Sequence, residues 1–401
     1  MNNDFRSQFP ILKRKINNET CVCLDGPAGT HVPDSVIRAI SQYYKRSNSN
    51  VHGAFTFTQE TDKMMSDTRS AVADFLGAPS LNSISFGQNM TTLNFSLARA
   101  IGRHFQKGDE IVITQLDHES NRGPWLELRH LGIAIREVRI TKDGHLNYDD
   151  FKEKINDRTR LVCIGYAANL TGTINNVSLI RKLTYEVGAW LLVDAVHYAP
   201  HFRIDVTSLG CDFLLCSAYK FYGPHVGLLY VKKGILDRLP TDRLRTAYQH
   251  APYSIETGTL NHAAISGVKA AIEFIAAQGN GGNLSSKIDD AFISISNHEK
   301  KIGQMLYNGL NSMNNIEIIG PHYDTNQRSP TISFVHSEYS ANEICQKLAE
   351  VNICAWSGHF YAIKATEVLG LEEQGGVTRM GISAYTNEDD IDRTLDFMKK
   401  L

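Results

Sequence analysis

Short apolar runs alternate with longer mixed segments through the first part of the chain. Runs of this kind are typical of strands covered on both faces. They occur at Ser83–Phe86, Ile111–Thr114, Leu161–Tyr166, Trp190–Val193, Phe213–Cys216 and Leu228–Val231. Most of the gaps are long enough for a crossover helix. The pattern therefore predicts an α/β core built on a mostly parallel sheet.

Helices are predicted before and after this core. Asp34 is a candidate N-cap for a first helix, and an apolar stripe from Met65 to Leu76 predicts a second helix that ends at Gly77. After about residue 262 the pattern changes to a helix at Ala263–Ala277, a glycine break, and another long helix. Strands are then predicted at Ile316–Ile319, Thr331–Val335, Cys354–Trp356 and Thr378–Ile382, before a terminal helix.

A chain of 401 residues exceeds what one hydrophobic core usually supports. We predict an N-terminal segment at 1–17, a large domain at 18–262 and a smaller α+β domain at 263–401. A net charge of −2 indicates no general attraction to nucleic acid or to anionic membrane. No stretch approaches the roughly 20 apolar residues of a membrane span, and the first residues lack the apolar core of a signal peptide. We therefore expect a cytoplasmic protein.

Seven cysteines are scattered through the chain, several of them inside apolar runs. Buried free thiols are the better interpretation, because disulfides belong mainly to small or secreted proteins. Cys21 and Cys23 flank one residue of an extended segment, a spacing that suits neither a zinc knuckle nor a redox pair. His197 and His201 have the i, i+4 spacing of two metal ligands on one helix. Pro200 lies between them and disfavours that helix. We predict no metal site.

The candidate chemistry lies after two of the apolar runs. Lys220 follows the run at Phe213–Cys216, and Asp194 ends the run at Trp190–Val193. A lysine and a carboxylate in such positions suit a pyridoxal 5′-phosphate site, where the lysine forms a Schiff base and the carboxylate keeps the pyridine nitrogen protonated. Each residue alone is more often a surface charge or a turn residue.

The surrounding motif strengthens this interpretation. The stretch VDAVHYAPHFRIDVTSLGCDFLLCSAYKFYGPHVGLLYVKK resembles the cofactor-lysine region of class V aminotransferases, and within them the cysteine desulfurase and selenocysteine lyase branch. The resemblance runs from LDGPAGTHVP to VTRMGISAYTNEDDIDRTLDFM. It implies fold type I, an α/β large domain with a mostly parallel sheet and a smaller α+β C-terminal domain. It also implies a small-molecule amino-acid substrate and a homodimer with a shared active site.

The resemblance assigns roles to individual positions. Around the cofactor ring and its hydroxyl it places Lys220, Asp194, His118 (stacked on the ring), Asn169 and His197. Around the phosphate it places Asn89, Met90, Ser217, Tyr219 and, from the neighbouring subunit, Thr259. For the substrate it implies Arg379 as the carboxylate clamp, together with Asn169, His359 and Trp356.

The chain departs from the resemblance at one decisive place. The motif WSGHFYA has Tyr361 where related desulfurases carry the cysteine that takes up sulfur as a persulfide. We expect carbon–sulfur or carbon–selenium lyase chemistry through an external aldimine and a quinonoid, without a persulfide cysteine, and with Tyr361 or His359 as the acid. An aminotransferase or an epimerase is the alternative, and a non-catalytic scaffold is a second. Dinucleotide, nucleoside triphosphate and α/β-hydrolase motifs are missing.

Overall fold

The computed structural model of the chain describes residues 5–323 and 328–401. The strands, in chain order, are β1 (Lys15–Ile16), β2 (Glu19–Thr20), β3 (Val22–Cys23), β4 (Ile84–Gly87), β5 (Glu110–Thr114), β6 (Ala134–Val138), β7 (Thr159–Gly165), β8 (Trp190–Asp194), β9 (Phe213–Ser217), β10 (Gly227–Val231), β11 (Ile316–Ile319), β12 (Thr331–His336), β13 (Ile353–Cys354), β14 (Trp356–Gly358) and β15 (Val377–Gly381).

The helices, in the same order, are α1 (Asp34–Arg46), α2 (Thr56–Leu76), α3 (Met90–His104), α4 (Gly123–Leu126), α5 (Tyr148–Lys154), α6 (Val177–Glu186), α7 (Val206–Leu209), α8 (His262–Ala276), α9 (Leu284–Asn311), α10 (Ala341–Glu350), α11 (Ile363–Val368) and α12 (Glu388–Met398). Short 3-10 turns lie between several of these elements.

The central sheet has the order β4-β10-β9-β8-β7-β5-β6. Neighbours from β9 to β6 run parallel, and β10 is antiparallel to both β4 and β9. The strands between the two edges are buried on both faces, as their continuous apolar runs predicted. The predicted α/β architecture with a mostly parallel sheet is therefore confirmed.

Strand β10 is reversed because the link from β9 is short. A parallel crossover needs a dozen or more residues, and residues 218–226 are too few for one. The chain therefore turns back as a hairpin, and Lys220 lies in that turn. Strand β6 was not predicted, since it is an edge strand whose half-exposed residues include Arg136 and Glu137.

A second sheet, with the order β11-β12-β15-β14, is antiparallel throughout. The single strand predicted at Cys354–Trp356 is wrong in detail. Cys354 ends β13, which pairs in parallel with β3, whereas Trp356 begins β14 and pairs with Arg379 of β15. The chain thus changes sheets at Ala355, and period-2 alternation cannot reveal such a change because both pieces are extended.

The predicted helices are present, with one corrected cap. Helix α1 begins at Asp34 and its N-cap is Pro33, so Asp34 lies in the first turn and does not cap it. Its carboxylate still lies at the positive end of the helix dipole. Helix α2 ends at Gly77, whose φ of 64° gives the left-handed cap that glycine adopts without strain. Helices α1 and α2 pack on α8.

The first described residues are packed against the rest of the chain. Phe5 and Phe9 are buried beside Tyr222 and Phe274. The domain boundaries at residues 17 and 262 remain a prediction. Across residues 5–323 and 328–401, no helix is both long enough and apolar enough to traverse a lipid bilayer.

Candidate functional site

A cavity of about 710 Å³ lies at the carboxyl ends of the parallel strands. Loops diverge there, so open α/β sheets commonly bind ligands at this edge. Of the residues predicted for the site, those lining the cavity are Asn89, Met90, His118, Asn169, Asp194, His197, Ser217, Tyr219, Lys220, Trp356, Tyr361 and Arg379. Two predicted residues, Thr259 and His359, do not line it. The sequence motifs therefore converge on one cavity.

Lys220 and Asp194 interact inside this cavity. Lys220 Nζ donates hydrogen bonds to the carbonyls of Pro27 and Ala28. Desolvation and the charge of Arg379 lower the pKa of Lys220 to about 7, although Asp194 opposes that shift. Desolvation raises the pKa of Asp194 to about 6, and a hydrogen bond from the Val196 amide together with the Lys220 charge limits the rise. The lysine is therefore available as an amine near neutral pH.

His118 is held as a neutral ring. Its Nδ1 accepts a hydrogen bond from the Ser120 backbone N–H at 3.0 Å, which leaves the proton of the neutral ring on Nε2. Burial and the charges of Lys220 and Arg379 lower its pKa to about 4. Its ring lies 5.2 Å from that of Tyr361, at an interplanar angle of 35°. An uncharged imidazole of this kind is suited to stack on an aromatic ligand.

Arg379 is a buried cation with an unusual set of neighbours. The Nη1 atom donates to the carbonyl of Asn169 at 3.0 Å, and the guanidinium lies 3.7 Å from the centre of the Phe360 ring. Burial lowers its pKa to about 9, and no described acidic residue forms an ion pair with it. Leaving a buried charge unpaired is costly, so the guanidinium is suited to receive an anion such as a carboxylate.

The N-terminus of α3 forms another part of the wall. The Met90 backbone N–H donates to Ser217 Oγ at 2.9 Å, and the Asn89 side chain caps the helix by accepting from the Thr92 N–H. A Cβ at Gly227 would lie 2.4 Å from the Asn89 carbonyl carbon, so only glycine allows this close approach. Helix N-termini favour phosphate groups. Of the predicted phosphate residues, Asn89, Met90 and Ser217 thus lie together, although the Asn89 side chain is occupied in capping.

Two further predicted cofactor residues have polar or stacking partners. His197 is buried, and its Nε2 lies 2.9 Å from Thr331 Oγ1 and 3.3 Å from Ser329 Oγ. Burial lowers the pKa of His197 well below its ordinary value. Tyr219 stacks on His225 with ring centres 4.5 Å apart, and Lys220 Nζ lies 5.0 Å from the centre of the tyrosine ring.

The segment that carries Tyr361 is strained and anchored. Phe360 and Tyr361 have φ angles of 50° and 61°, in the left-handed region that residues with side chains rarely adopt. Asn169 Nδ2 donates to the Phe360 carbonyl at 2.8 Å, and the Glu119 N–H donates to the Tyr361 carbonyl at 2.7 Å. Backbone strain held in this way is frequent at functional sites. The anchors fix an exposed phenol at the cavity mouth.

His359 and Thr259, the two predicted residues that do not line the cavity, lie in two different places. The exposed His359 accepts a hydrogen bond from the Tyr361 N–H at its Nδ1, so it shapes the turn before Tyr361. Thr259 is exposed in a neighbouring cleft that also contains Gln88 and His225. The predicted contact of Thr259 with a second subunit remains a prediction.

Several residues of the site were not predicted from the sequence. Asp117 is buried in the wall, accepts from the Gly165 N–H at 2.8 Å, and has a pKa raised to about 7 by desolvation and by Asp194. Phe360 covers Arg379, and His225 covers Tyr219. Phe360 and His225 lie inside motifs already quoted, and Asp117 directly precedes His118, so their proximity to the predicted residues was the available signal.

The cavity fits pyridoxal 5′-phosphate on its own chemistry. It combines an amine with a pKa near neutrality, a buried carboxylate, a neutral imidazole, a helix N-terminus and an unpaired guanidinium. These groups match, in turn, an aldehyde, a pyridine nitrogen, an aromatic ring, a phosphate and the carboxylate of an amino acid.

Comparison with known proteins agrees with this geometry. The model of the family described as aminotransferase class V matches residues 22–394. Cysteine desulfurases of Yersinia pseudotuberculosis serotype O:1b (strain IP 31758) and Yersinia pestis (strain Pestoides F) are each 29% identical over 412 aligned residues, which cover 99% of this chain and 97% of the relative.

Solved structures give the same result. The apo structure of a cysteine desulfurase from Thermococcus onnurineus NA1 has a TM-score of 0.88 and 26% identity, and the match covers 100% of this chain and 98% of that one. A cysteine desulfurase from Escherichia coli has a TM-score of 0.85 at 24% identity, over 99% of this chain and 97% of that one, and supports the fold. The chain therefore belongs to the class V aminotransferase family and is a cysteine desulfurase-like enzyme that depends on pyridoxal 5′-phosphate.

Proposed function

We propose that this enzyme is a carbon–sulfur or carbon–selenium lyase that acts on an α-amino acid without a persulfide cysteine. The observation that carries the proposal is the position of Tyr361, a phenol at the cavity mouth where the family resemblance implies a thiol. Among the described residues that line the cavity, none is a cysteine. A phenol can donate a proton but cannot take up sulfur.

The buried cation at Arg379 supports an amino-acid substrate. Its planar fork of donors matches the α-carboxylate, and the Asn169 carbonyl together with the Phe360 ring holds the fork in place. A carboxylate bound there brings the adjacent Cα into the cavity that Lys220 also lines. The substrate is thus oriented before any bond changes.

The remaining residues move or hold protons. Bound pyridoxal 5′-phosphate supplies the electron sink that makes the Cα–H bond of an attached amino acid acidic. Lys220, as an amine, accepts the Cα proton. Asp194 holds a proton at the pyridine nitrogen, and neutral His118 covers the ring face without adding charge. Tyr361 donates a proton to the departing sulfur or selenium atom.

The products of this reaction differ from those of persulfide transfer. Sulfur leaves with the electron pair of the broken carbon–sulfur bond and appears as sulfide. The carbon skeleton of cysteine, after hydrolysis by one water, appears as pyruvate and ammonia. With an acceptor thiol the products would instead be alanine and an enzyme-bound sulfur atom.

Product analysis tests the proposal. Holoenzyme incubated with L-cysteine, L-selenocysteine and a panel of other amino acids is assayed for sulfide or selenide, keto acid, alanine and pyridoxamine phosphate. We expect sulfide, pyruvate and ammonia in equal amounts from L-cysteine. Pyridoxamine phosphate without sulfide would instead indicate transamination, and alanine with enzyme-bound sulfur would indicate the persulfide route. Either result would refute the proposal.

A single substitution tests the proposed role of Tyr361 as the acid. Tyr361→Phe is expected to slow sulfide release about 100-fold, the lower range for general acid catalysis, while the visible absorption of the cofactor is retained. Tyr185→Phe, on the exposed face of α6, is the matched control and is expected to leave turnover unchanged.

We also propose a homodimer with a shared active site and a cytoplasmic location. Thr259 and the exposed ring of Tyr248 line one cleft together with His52, and the exposed rings of Phe55 and Phe57 follow His52 in the chain. Covering such rings with a second copy removes apolar surface from water. The seven cysteines are all free, as expected in a reducing compartment.

A further inference from the structure

Three potential metal ligands converge beside the cavity wall, outside the site described above. Cys23 Sγ, a carboxylate oxygen of Asp25 and a ring nitrogen of His31 all lie within 4.8 Å of one another. Cys354 is outside this group but lies opposite Cys23 on the paired strands β3 and β13. None of the four residues lines the cavity itself. Thiolate, imidazole and carboxylate groups are all ligands that Zn²⁺ takes in proteins.

The backbone brings these side chains together from distant parts of the chain. Strands β3 and β13 pair in parallel with Cys23 opposite Cys354, and the Leu24 N–H donates to the Cys354 carbonyl at 3.0 Å. Asp25 forms the next bridge, with Gly381. A turn closed by the Ala28 N–H and the Asp25 carbonyl then returns the chain toward His31. Sequence spacing could not predict this cluster, because Cys354 lies far from the other three.

Two polar atoms inside the cluster have no hydrogen-bond partner. Asp25 Oδ1 and His31 Nε2 are inaccessible to solvent, and they lie 3.8 Å apart, too far for a hydrogen bond. Leaving buried polar atoms unpaired is costly. An oxygen and a nitrogen bound to one tetrahedral ion at about 2.0–2.1 Å lie about 3.3–3.4 Å apart. Asp25 Oδ1 and His31 Nε2 would therefore move about 0.4 Å closer on binding one ion.

We propose that Cys23, Asp25 and His31 bind one thiophilic divalent cation of the Zn²⁺ class, and that the Cys354 side chain turns toward it to become the fourth ligand. Four protein ligands leave no open position, so the ion would be structural. Binding releases the thiol protons to solvent and involves no change of oxidation state. The side chains of Asp25 and His31 are each 24% exposed, which gives the ion a route from solvent.

The proposed ion connects two parts of the active-site wall. The chain passes from Asp25 to Pro27 and Ala28, whose carbonyls accept from Lys220 Nζ. From Cys354 it passes to Trp356, which also lines the cavity. Fastening β3 to β13 therefore stabilises both segments against the cavity. The site departs from the prediction of no metal, and it does not depend on which reaction the enzyme catalyses.

Cobalt is a suitable probe because its spectrum reports ligand type and geometry. Tag-free holoenzyme is reduced, treated with a chelator, desalted and titrated with Co²⁺, then with Zn²⁺. We expect one equivalent of Co²⁺, thiolate-to-cobalt charge-transfer absorption, and intense d–d bands of a tetrahedral site at wavelengths where the cofactor does not absorb. Zn²⁺ displaces the cobalt and raises the thermal unfolding midpoint.

Variants of two ligands test whether the cobalt absorption arises from this cluster. Cys354→Ser and His31→Gln each remove one ligand from a partly exposed position, and we expect a loss of affinity of more than about 100-fold, above the cost of losing an outer partner. Cys345→Ser, at a cysteine on α10, is the matched control and retains binding. Binding of less than about 0.1 equivalent of metal by the wild-type protein would overturn the proposal, as would an unchanged metal affinity in both ligand variants.

Discussion

Burial and the charge of Arg379 lower the pKa of Lys220 to about 7, and this low pKa decides how the residue reacts at neutral pH. An ordinary lysine has a pKa of about 10.4 and carries almost no free amine at neutral pH. With a pKa of about 7, about half of the Lys220 side chains are amines at pH 7. Cofactor attachment requires that form, because the protonated lysine has no electron pair to donate.

The rate of cofactor attachment should therefore depend on pH in a characteristic way. Apoenzyme mixed with pyridoxal 5′-phosphate is expected to react faster as pH rises from about 6 to 8 and then to reach a plateau, because Lys220 is fully deprotonated above its pKa of about 7. Stopped-flow absorbance measures the rate. Nα-acetyl-lysine amide is the control, and its rate should keep rising above pH 8. A matching rise for the enzyme would show that Lys220 has an ordinary pKa.

At Arg379 the shape of the donor matters as well as its charge. Arg379→Lys keeps a cation, but one ammonium cannot replace the planar fork that faces a carboxylate. We expect kcat/KM to fall about 10–100-fold, equivalent to about 1.4–2.8 kcal/mol, with the cofactor still bound. Steady-state kinetics and the absorption spectrum measure the two effects. Arg160→Lys, at a partly exposed ion pair with Asp109, is the control. Loss of cofactor with unchanged KM would place Arg379 elsewhere in the mechanism.

At the scale of the elements, the sequence was most informative where strands are buried on both faces. The runs that became β7, β8 and β9 predicted strand positions to within a few residues, because a continuous apolar run between polar segments that is too short for a helix is typical of a buried strand. Strand β6 gave no such signal because it is a half-exposed edge. The change of sheet at Ala355 depends on long-range pairing, which local patterns do not contain.

The start of β5 contains an ion cluster with a clear pH signature. Glu110 forms ion pairs with Arg136 and Arg158, each at 2.8 Å, and accepts from Asn156. These partners lower the pKa of Glu110 to about 2, with Arg136 the largest cause. A carboxylate with a lowered folded-state pKa stabilises the protein above its ordinary pKa, and this stabilisation is lost as pH falls from about 4.5 to 2.

Glu110→Gln should therefore lower the free energy of unfolding at pH 7 by about 1–2 kcal/mol, a discounted value because both arginines are largely exposed. The difference from wild type should shrink as pH falls toward 3. Urea unfolding at several pH values measures it. Glu317→Gln, at an exposed position of β11, is the control. A difference that stays constant with pH would mean that Glu110 contributes through packing and not through its charge.

At the scale of the whole molecule, the family resemblance predicted more than physical patterns alone could. It brought Lys220, Asp194, His118 and Arg379 to one cavity, although they lie on separate loops and strands. Contacts made by intervening residues were missed, such as Phe360 on Arg379, because they depend on backbone angles that no motif states. The proximity of Cys23 to Cys354 was missed because it depends on the pairing of β3 with β13, which are far apart in the sequence.

The exposed rings near Thr259 lead to a prediction about assembly. The protein should sediment at twice its chain mass of 44.8 kDa, because a second copy would cover Phe55 and Phe57. Replacing both phenylalanines by aspartate should shift the protein to the single-chain mass. Tyr185→Asp, at a more exposed ring on α6, should not. Analytical ultracentrifugation distinguishes the outcomes. A monomeric wild-type protein would contradict the proposed active site shared between two subunits.

The attachment point of the cofactor shows directly whether Lys220 is the reactive lysine. Holoenzyme is reduced with borohydride, digested and mapped by mass spectrometry. We expect one phosphopyridoxyl group, on the peptide that contains Lys220, and none in Lys220→Ala. A modified lysine elsewhere, or an unmodified Lys220 in a coloured and active protein, would contradict this assignment.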